Sequence, residues 1–108
     1  MSSTTVTRGN SHETFYIGPS LTPTSVTAYT SAVQTFNIPG LLTSDIIQAV
    51  GAVGVQTAGM VTAECDCYNA NVLSVQFLNS TGSTATPYVG QYVFQITRVE
   101  GPLPVNAA

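Results

Sequence analysis

The sequence predicts an all-β protein, a jelly-roll-like antiparallel β-sandwich with an extended N-terminal arm. Apolar and polar residues alternate with a period of two over 73–78 and 92–99, and both segments are rich in β-branched and aromatic residues. This pattern is typical of half-buried antiparallel strands. No segment shows convincing helical periodicity, and turn-forming residues separate the apolar segments. Short strands without helices indicate two packed sheets.

The two C-terminal segments define the inward positions of their strands. In each, every second residue is apolar and is expected to face the core. Residues 79–90 between them are rich in Ser, Thr, Gly and Pro, which predicts a loop. The expected inward residues are Leu73, Val75, Phe77, Tyr92, Phe94 and Ile96.

A strand over 60–67 is expected to form a hairpin with the strand at 72–78. Asn69 and Asn71 supply turn residues between them, since Asn tolerates left-handed backbone. Simple alternation places Val61, Ala63, Cys65 and Cys67 on one face of the first strand, and Thr62, Glu64 and Asp66 on the other.

The first half of the chain carries weaker strand signals. A Thr-Ser-Asp run at 43–45 resembles a helix N-cap for 46–52, but the glycines that follow disfavour a helix. The uncharged stretch 46–63 reaches the length of a membrane span, and its Gln, Thr and Gly residues argue against one. The expected strands are 32–38 (with Gln34, Phe36 and Ile38 inward), 45–50, and the shorter 15–17 and 26–29.

The chain divides into an N-terminal arm over 1–18, a sandwich domain over 19–100 and a C-terminal tail over 101–108. A chain of 108 residues builds one hydrophobic core rather than two. The arm shows poor alternation, so we expect it to become ordered against another protein surface. The tail contains two Pro residues and is not expected to join a sheet.

The chain is nearly uncharged. Only 6% of its residues are charged, with two Lys or Arg, five Asp or Glu and a net charge of −3, against about 25% in an average soluble domain. Ten Ser and 16 Thr supply polarity instead. Two cations cannot neutralise a nucleic-acid backbone or an anionic membrane, so we expect neither partner. A neutral surface favours permanent assembly, because surface charge keeps proteins soluble and monomeric.

Few residues are suited to catalysis, and we expect no enzyme and no cofactor. His12 beside Glu13 is a candidate base with its orienting partner, but we favour a solvated or interface histidine. Glu64 and Asp66 lie two apart on a predicted strand, where a carboxylate pair acts as acid and base or binds Ca²⁺ with further oxygens. We favour an exposed polar face, or partners for an Arg of a neighbouring chain.

The cysteines and Arg98 have structural interpretations. Two Cys and one His are too few for a four-ligand zinc site. A disulfide between Cys65 and Cys67 would require abandoning strand geometry, so both thiols are expected in the core. Arg98 ends the inward face of the last strand and is expected to pair with a carboxylate such as Glu100 or a neighbour's Glu64.

Three stretches together resemble small structural proteins of tailed bacteriophages, namely head decoration (cement) proteins and related head-fibre modules. The first is 34–41, Gln-Thr-Phe-Asn-Ile-Pro-Gly-Leu, with Asp45 following; the second is 67–79, which ends in Val-Gln-Phe-Leu-Asn; the third is 86–98, which contains Gly-Gln-Tyr-Val-Phe and ends in Arg98. The resemblance covers roughly residues 32–98. The chain departs from the family at its acidic pair and its two Cys.

The resemblance implies a trimeric sandwich on the outside of an icosahedral phage head, where it bridges neighbouring major capsid proteins. The implied partners are the major capsid protein and further copies of the chain in a homotrimer, and the implied location is the outer surface of the virion. The first residues show no positive region followed by an apolar stretch, so we expect synthesis in the host cytoplasm. The expected interface residues are Val6, Arg8, His12, Glu13, Ile46, Ile47, Val50, Glu64, Asp66 and Arg98.

Three other functions stay open on the sequence. A head- or tail-fibre module would bind host-surface glycans through Tyr16, Tyr29, Tyr68 or Tyr88. A small hydrolase would use His12 with a Ser. The third is a cellular adhesin or pilin-like subunit, and the missing leader pattern counts against it.

Overall fold

The computed structural model describes residues 12–103 and 105–106 and shows an all-β sandwich of two antiparallel sheets. The described residues contain no helix. They therefore include no helix that is long and apolar enough to cross a membrane. The segment 46–52 is a strand. Seven strands are described: β1 (His12–Ile17), β2 (Ser20–Leu21), β3 (Ser31–Asn37), β4 (Ile46–Ala52), β5 (Met60–Asp66), β6 (Val72–Asn79) and β7 (Gly90–Val99).

β7 is the central strand of the first sheet. β4 pairs along one side of it. β1 and β2 pair along the other side in one continuous register, which starts with His12 opposite Val99. Pro19, which has no N–H to donate, separates β1 from β2, and its carbonyl accepts a hydrogen bond of 2.9 Å from the Tyr92 amide.

β6 is the central strand of the second sheet. Every residue of β3 pairs with a residue of β6. β5 and β6 form the predicted hairpin. In the turn before β6, Asn71 has a φ of 71°, the left-handed backbone that Asn tolerates.

The core lies between the two sheets and is built mainly from alternate residues of β6 and β7. The ring centroids of Phe77 and Tyr92 lie 6.1 Å apart in an edge-to-face arrangement that joins the sheets. The rings of Tyr92 and Phe94 stack at 6.3 Å. All six predicted inward residues are buried: Leu73, Val75, Phe77, Tyr92, Phe94 and Ile96.

Asn79 is a fully buried polar residue at the end of β6. Its Nδ2 donates to the carbonyl oxygens of Val26 and Ser83, both at 2.9 Å. Its Oδ1 accepts from the Thr81 amide at 2.9 Å. Because the amide is paired on every side, it joins the loop after β6 to the segment before β3 without leaving a buried polar atom unsatisfied.

The boundary of the N-terminal arm differs from the prediction. Residues 12–17 form β1, and Phe15 and Ile17 pack against the core. The sandwich therefore includes the chain from His12 onward. Residues 12–14 are all polar, so the sequence shows no alternation that would predict a strand there. The strand forms through backbone pairing with β7. Residues 1–11, the rest of the predicted arm, lie outside the described residues.

The face assignment in the first half of β5 is also wrong. Met60 is buried, whereas Val61 is 47% exposed. A bulge lies between Thr62 and Cys65. The extra residue inverts the alternation, so Cys65 still points inward.

The predicted strand over 26–29 is reduced to one bridge between Val26 and Ala85. Tyr29 has a φ of 56°, which is incompatible with an extended strand. Residues 101–103 and 105–106 lie outside the sheets, as predicted for a tail.

Candidate functional site: an open groove between two strand edges

Two strand edges lie beside each other, and no strand of the described residues lies between them. β4 pairs with β7 on one side only, and β5 pairs with β6 on one side only. The other edges of β4 and β5 border a groove of about 760 Å³, lined by 45–49 and 62–66. An unpaired edge presents backbone N–H and C=O groups to an added strand. We refer to this feature as the β4–β5 groove.

The opposite side of the second sheet is less open. There, Gln34 of β3 exchanges two hydrogen bonds with the backbone of Thr24: the Thr24 amide donates to Gln34 Oε1 at 2.8 Å, and Gln34 Nε2 donates to the Thr24 carbonyl at 2.9 Å. The segment before β3 therefore lies against the β3 edge. This contrast distinguishes the β5 edge from the β3 edge within the second sheet.

Apolar side chains are exposed around the groove. On β4, Ile46 is 43% and Val50 is 58% exposed. On the second sheet, Val61 and Leu78 lie directly opposite each other and are both exposed. Ile47, which the sequence grouped with Ile46 and Val50, is only 7% exposed and belongs to the core, because alternate strand residues face opposite sides.

Asp45 and Arg98 form an ion pair at one end of the groove. Arg98 Nη2 donates to Asp45 Oδ2 at 2.8 Å and also to the Gly40 carbonyl at 3.0 Å. Arg98 therefore pairs with Asp45 and not with the predicted Glu100, and a pair with Glu64 of a neighbouring chain stays a prediction. The hydrogen bond from Arg98, opposed by burial, holds the pKa of the Asp45 carboxyl below its usual value.

His12 and Glu13 are neighbours on β1. Successive strand residues point to opposite faces, so the sequence spacing does not place the Glu13 carboxylate on the imidazole of His12. Glu13 lies opposite Arg98 in the strand register. His12 and Glu13 both border a pocket of about 310 Å³ beside Arg98. The other predicted arm contacts, Val6 and Arg8, lie outside the described residues.

Cys65 and Cys67 are free thiols buried in the core, as predicted. Burial, reinforced by the negative charges of Asp66 and Glu64, raises the pKa of the Cys65 thiol to about 11. The Cys67 thiol donates to the Asn69 carbonyl at 3.0 Å. The environment of Cys65 therefore does not favour a reactive thiolate.

Glu64 and Asp66 border both the groove and a small crevice on the outer face of the second sheet. Among the described residues, no group of three or more His, Cys, Asp or Glu side chains is arranged to hold a metal ion. The crevice adds a different donor, the Ser74 hydroxyl, which sequence reasoning missed. Its outward position in β6 gives no sign that it is buried.

The candidate sugar-stacking tyrosines are not gathered in one place. Tyr16 lies on β1 in the first sheet. Tyr29 precedes β3 and Tyr68 follows β5, so they lie at opposite ends of the second sheet. Tyr88 packs against Tyr92 at a centroid distance of 5.6 Å.

Comparison with known proteins finds no match. No protein-family model matches the chain, and neither a curated protein nor a solved structure matches it. Within the described residues, the geometry defines an all-β sandwich in which the free edges of β4 and β5 lie beside each other.

Proposed function

We propose that this protein is a structural virion protein, a capsid decoration protein that binds the outer surface of the assembled phage head and bridges major capsid proteins. The observation that carries the proposal is the β4–β5 groove, where two unpaired strand edges and exposed apolar side chains lie together. The proposal includes a homotrimer and the jelly-roll form of the sandwich. The virion location follows from the sequence resemblance.

The β4 side of the groove suits a protein partner because its outward side chains carry no charge, whereas Glu64, Asp66 and a bulge lie on the β5 side. Soluble proteins commonly protect edge strands with Lys or other charges, with Pro, or with a covering loop. The outward side chains of β4 are Ile46, Gln48 and Val50, and its edge contains no Pro. A strand from a capsid subunit or from another copy would pair with the free backbone groups, while its side chains contact the exposed apolar residues.

Binding of this kind stabilises a shell without chemistry. A ligand that binds only the assembled, expanded lattice shifts the equilibrium toward that lattice. Many copies, each bridging neighbouring subunits, would oppose rupture by the packaged genome.

The test compares phage heads that carry the chain with heads from a deletion strain. Cryo-electron microscopy is expected to show surface knobs only on the former, and purified protein added to the latter is expected to restore them. Ile46→Lys and Val61→Lys, which place a charge beside the groove, should weaken head binding at least about tenfold. Val55→Lys is the matched control, because Val55 is 90% exposed outside the strands.

Two results would overturn the proposal. One is the absence of the chain from purified particles. The other is equal head binding by all three Lys variants, since the groove would then play no part. A glycan-binding fibre module is the alternative function, and binding to a glycan array without any binding to heads would favour it.

A further inference from the structure

A small crevice on the outer face of the second sheet combines two carboxylates with a buried hydroxyl. Its volume is about 40 Å³, which accommodates a water molecule or a metal ion. The residues that line it are Val33, Glu64, Asp66, Tyr68, Ser74 and Gln76.

The strand register brings four oxygen-bearing side chains onto one patch. Asp66 lies directly opposite Ser74 in the β5–β6 pairing, and opposite residues share a face of the sheet. Gln76, two residues further along β6, shares that face. Because Thr62 pairs with Phe77 and Cys65 with Val75, the two bulge residues between them both oppose Gln76. One of those two is Glu64.

Ser74 provides an independent sign of a ligand. Its side chain lies on the outward face of β6, yet the residue is only 2% exposed. Its Oγ has no hydrogen-bond partner among the described residues. Buried polar atoms almost always have a partner in protein, water or an ion, and an unpaired one costs about 1–3 kcal/mol. The hydroxyl lines the same crevice as the carboxylates.

The two carboxylates also lack a positive partner within the described part of the chain. Arg98 is engaged by Asp45 on the other side of the groove. The whole sequence has two Arg and no Lys. No cationic side chain of the described residues lies with these two carboxylates in the crevice, and carboxylate oxygens are ligands that Ca²⁺ takes.

We infer that this crevice binds a Ca²⁺ ion. Glu64 and Asp66 supply carboxylate oxygens, Ser74 supplies a hydroxyl oxygen and Gln76 supplies an amide oxygen. Gln76 Nε2 is directed toward Ser31 Oγ, at 3.5 Å. The Oε1 atom of Gln76 is therefore the atom that coordinates the ion. Water completes the shell, since the crevice opens to solvent. Ca²⁺ fits this irregular set better than Mg²⁺, which demands near-octahedral geometry.

Calorimetric titration of the full chain with CaCl₂ tests the inference. One site with a Kd of about 10⁻⁴ to 10⁻³ M is expected, as in sites with few charged ligands. Thermal unfolding should shift upward in millimolar CaCl₂ and much less in MgCl₂ at equal ionic strength. Asp66→Asn and Glu64→Gln should each weaken binding about tenfold or more, whereas Ser74→Ala should weaken it about threefold.

The controls separate a specific site from general charge screening. Glu100→Gln removes an exposed carboxylate outside the crevice and should bind Ca²⁺ like the wild type. In the absence of Ca²⁺, Ser74→Ala should unfold at the same temperature or a higher one, because it removes an unpaired buried hydroxyl. No heat of binding and no shift in unfolding temperature for the wild-type chain in 10 mM CaCl₂ would overturn the inference, and so would unchanged binding in Asp66→Asn. The wild-type titration decides the question even where a variant fails to fold.

Discussion

The guanidinium of Arg98 holds the carboxylate of Asp45 at two points, with Nε 2.9 Å from Oδ1 and Nη2 2.8 Å from Oδ2. The Leu42 amide also donates to Oδ2, at 3.0 Å. The side chain of Asp45 is fully buried, whereas that of Arg98 is 29% exposed. The pair connects the end of β7 to the residue before β4. It therefore anchors one end of the β4–β5 groove.

Asp45→Asn is expected to lower the free energy of unfolding by about 2 kcal/mol at pH 7, because it removes the negative charge and one of the two oxygens that accept from Arg98. The cost is below that of a fully buried pair, since Arg98 keeps some solvation. Urea unfolding measures the change. Glu100→Gln, at an exposed carboxylate, is the control and should change stability by less than about 0.5 kcal/mol. Equal effects from the two substitutions would contradict the role of the pair.

The same pair predicts a pH dependence. The hydrogen bond from Arg98 holds the pKa of Asp45 below its usual 3.8. A carboxyl whose folded pKa is lowered contributes stability that is present above the unfolded pKa and is lost as the pH falls through the folded pKa. Wild-type stability should therefore fall more steeply below about pH 4 than that of Asp45→Asn. Parallel curves for the two proteins would show that the pKa is not lowered.

Asn79→Leu should destabilise the protein by about 3 kcal/mol. The substitution removes one of two hydrogen bonds at each of the Val26 and Ser83 carbonyls and takes the Asn79 acceptor away from the Thr81 amide. Asn37→Leu is the matched control, because Asn37 is exposed at the end of β3, and its effect should be small. Chemical unfolding of both variants gives the comparison, and a loss below about 1 kcal/mol at Asn79 would refute the role of this amide.

Cys65 should resist thiol reagents in the folded protein. A pKa of about 11 in place of 9.0 lowers the thiolate fraction near pH 8 by about 100-fold. Cys67→Ala isolates Cys65, and its reaction with a chromogenic disulfide should be at least about 100-fold slower in buffer than in urea. Native and unfolded rates within tenfold of each other would mean that the thiol is not buried as described.

Gly59→Ala should destabilise the protein more than Gly40→Ala. Both glycines have positive φ, 78° and 93°. An Ala at either position would have to adopt this left-handed backbone, which costs about 1–2 kcal/mol. A Cβ at Gly59 would also clash with Thr81 Cγ2, whereas one at Gly40 meets nothing within 4 Å. The Thr81 hydroxyl lies 2.7 Å from Asn79 Oδ1, which restrains that side chain. Equal unfolding midpoints for the two variants would show that the Thr81 side chain moves away from the new Cβ without loss of stability.

Sequence reasoning succeeded where the two faces of a strand differ strongly. β6 and β7 were predicted with their inward residues because Leu73 and Phe94 alternate with polar neighbours over a whole strand. β1 was missed as part of the sandwich, because its first three residues are polar and only pairing with β7 shows that they are a strand. The bulge in β5 was missed because alternation carries no sign of an inserted residue.

The amino-acid sequence alone determined the all-β class, the scarcity of charge and the inward faces of the central strands, since each follows from composition or from neighbouring residues. Only the tertiary structure decided which edges stay unpaired, that Arg98 meets Asp45 across 53 positions of the chain, and that Ser74 is buried beside two carboxylates. Alternation records which way a side chain points along one strand. Strand order and pairing depend on packing between distant segments, which a local pattern does not contain.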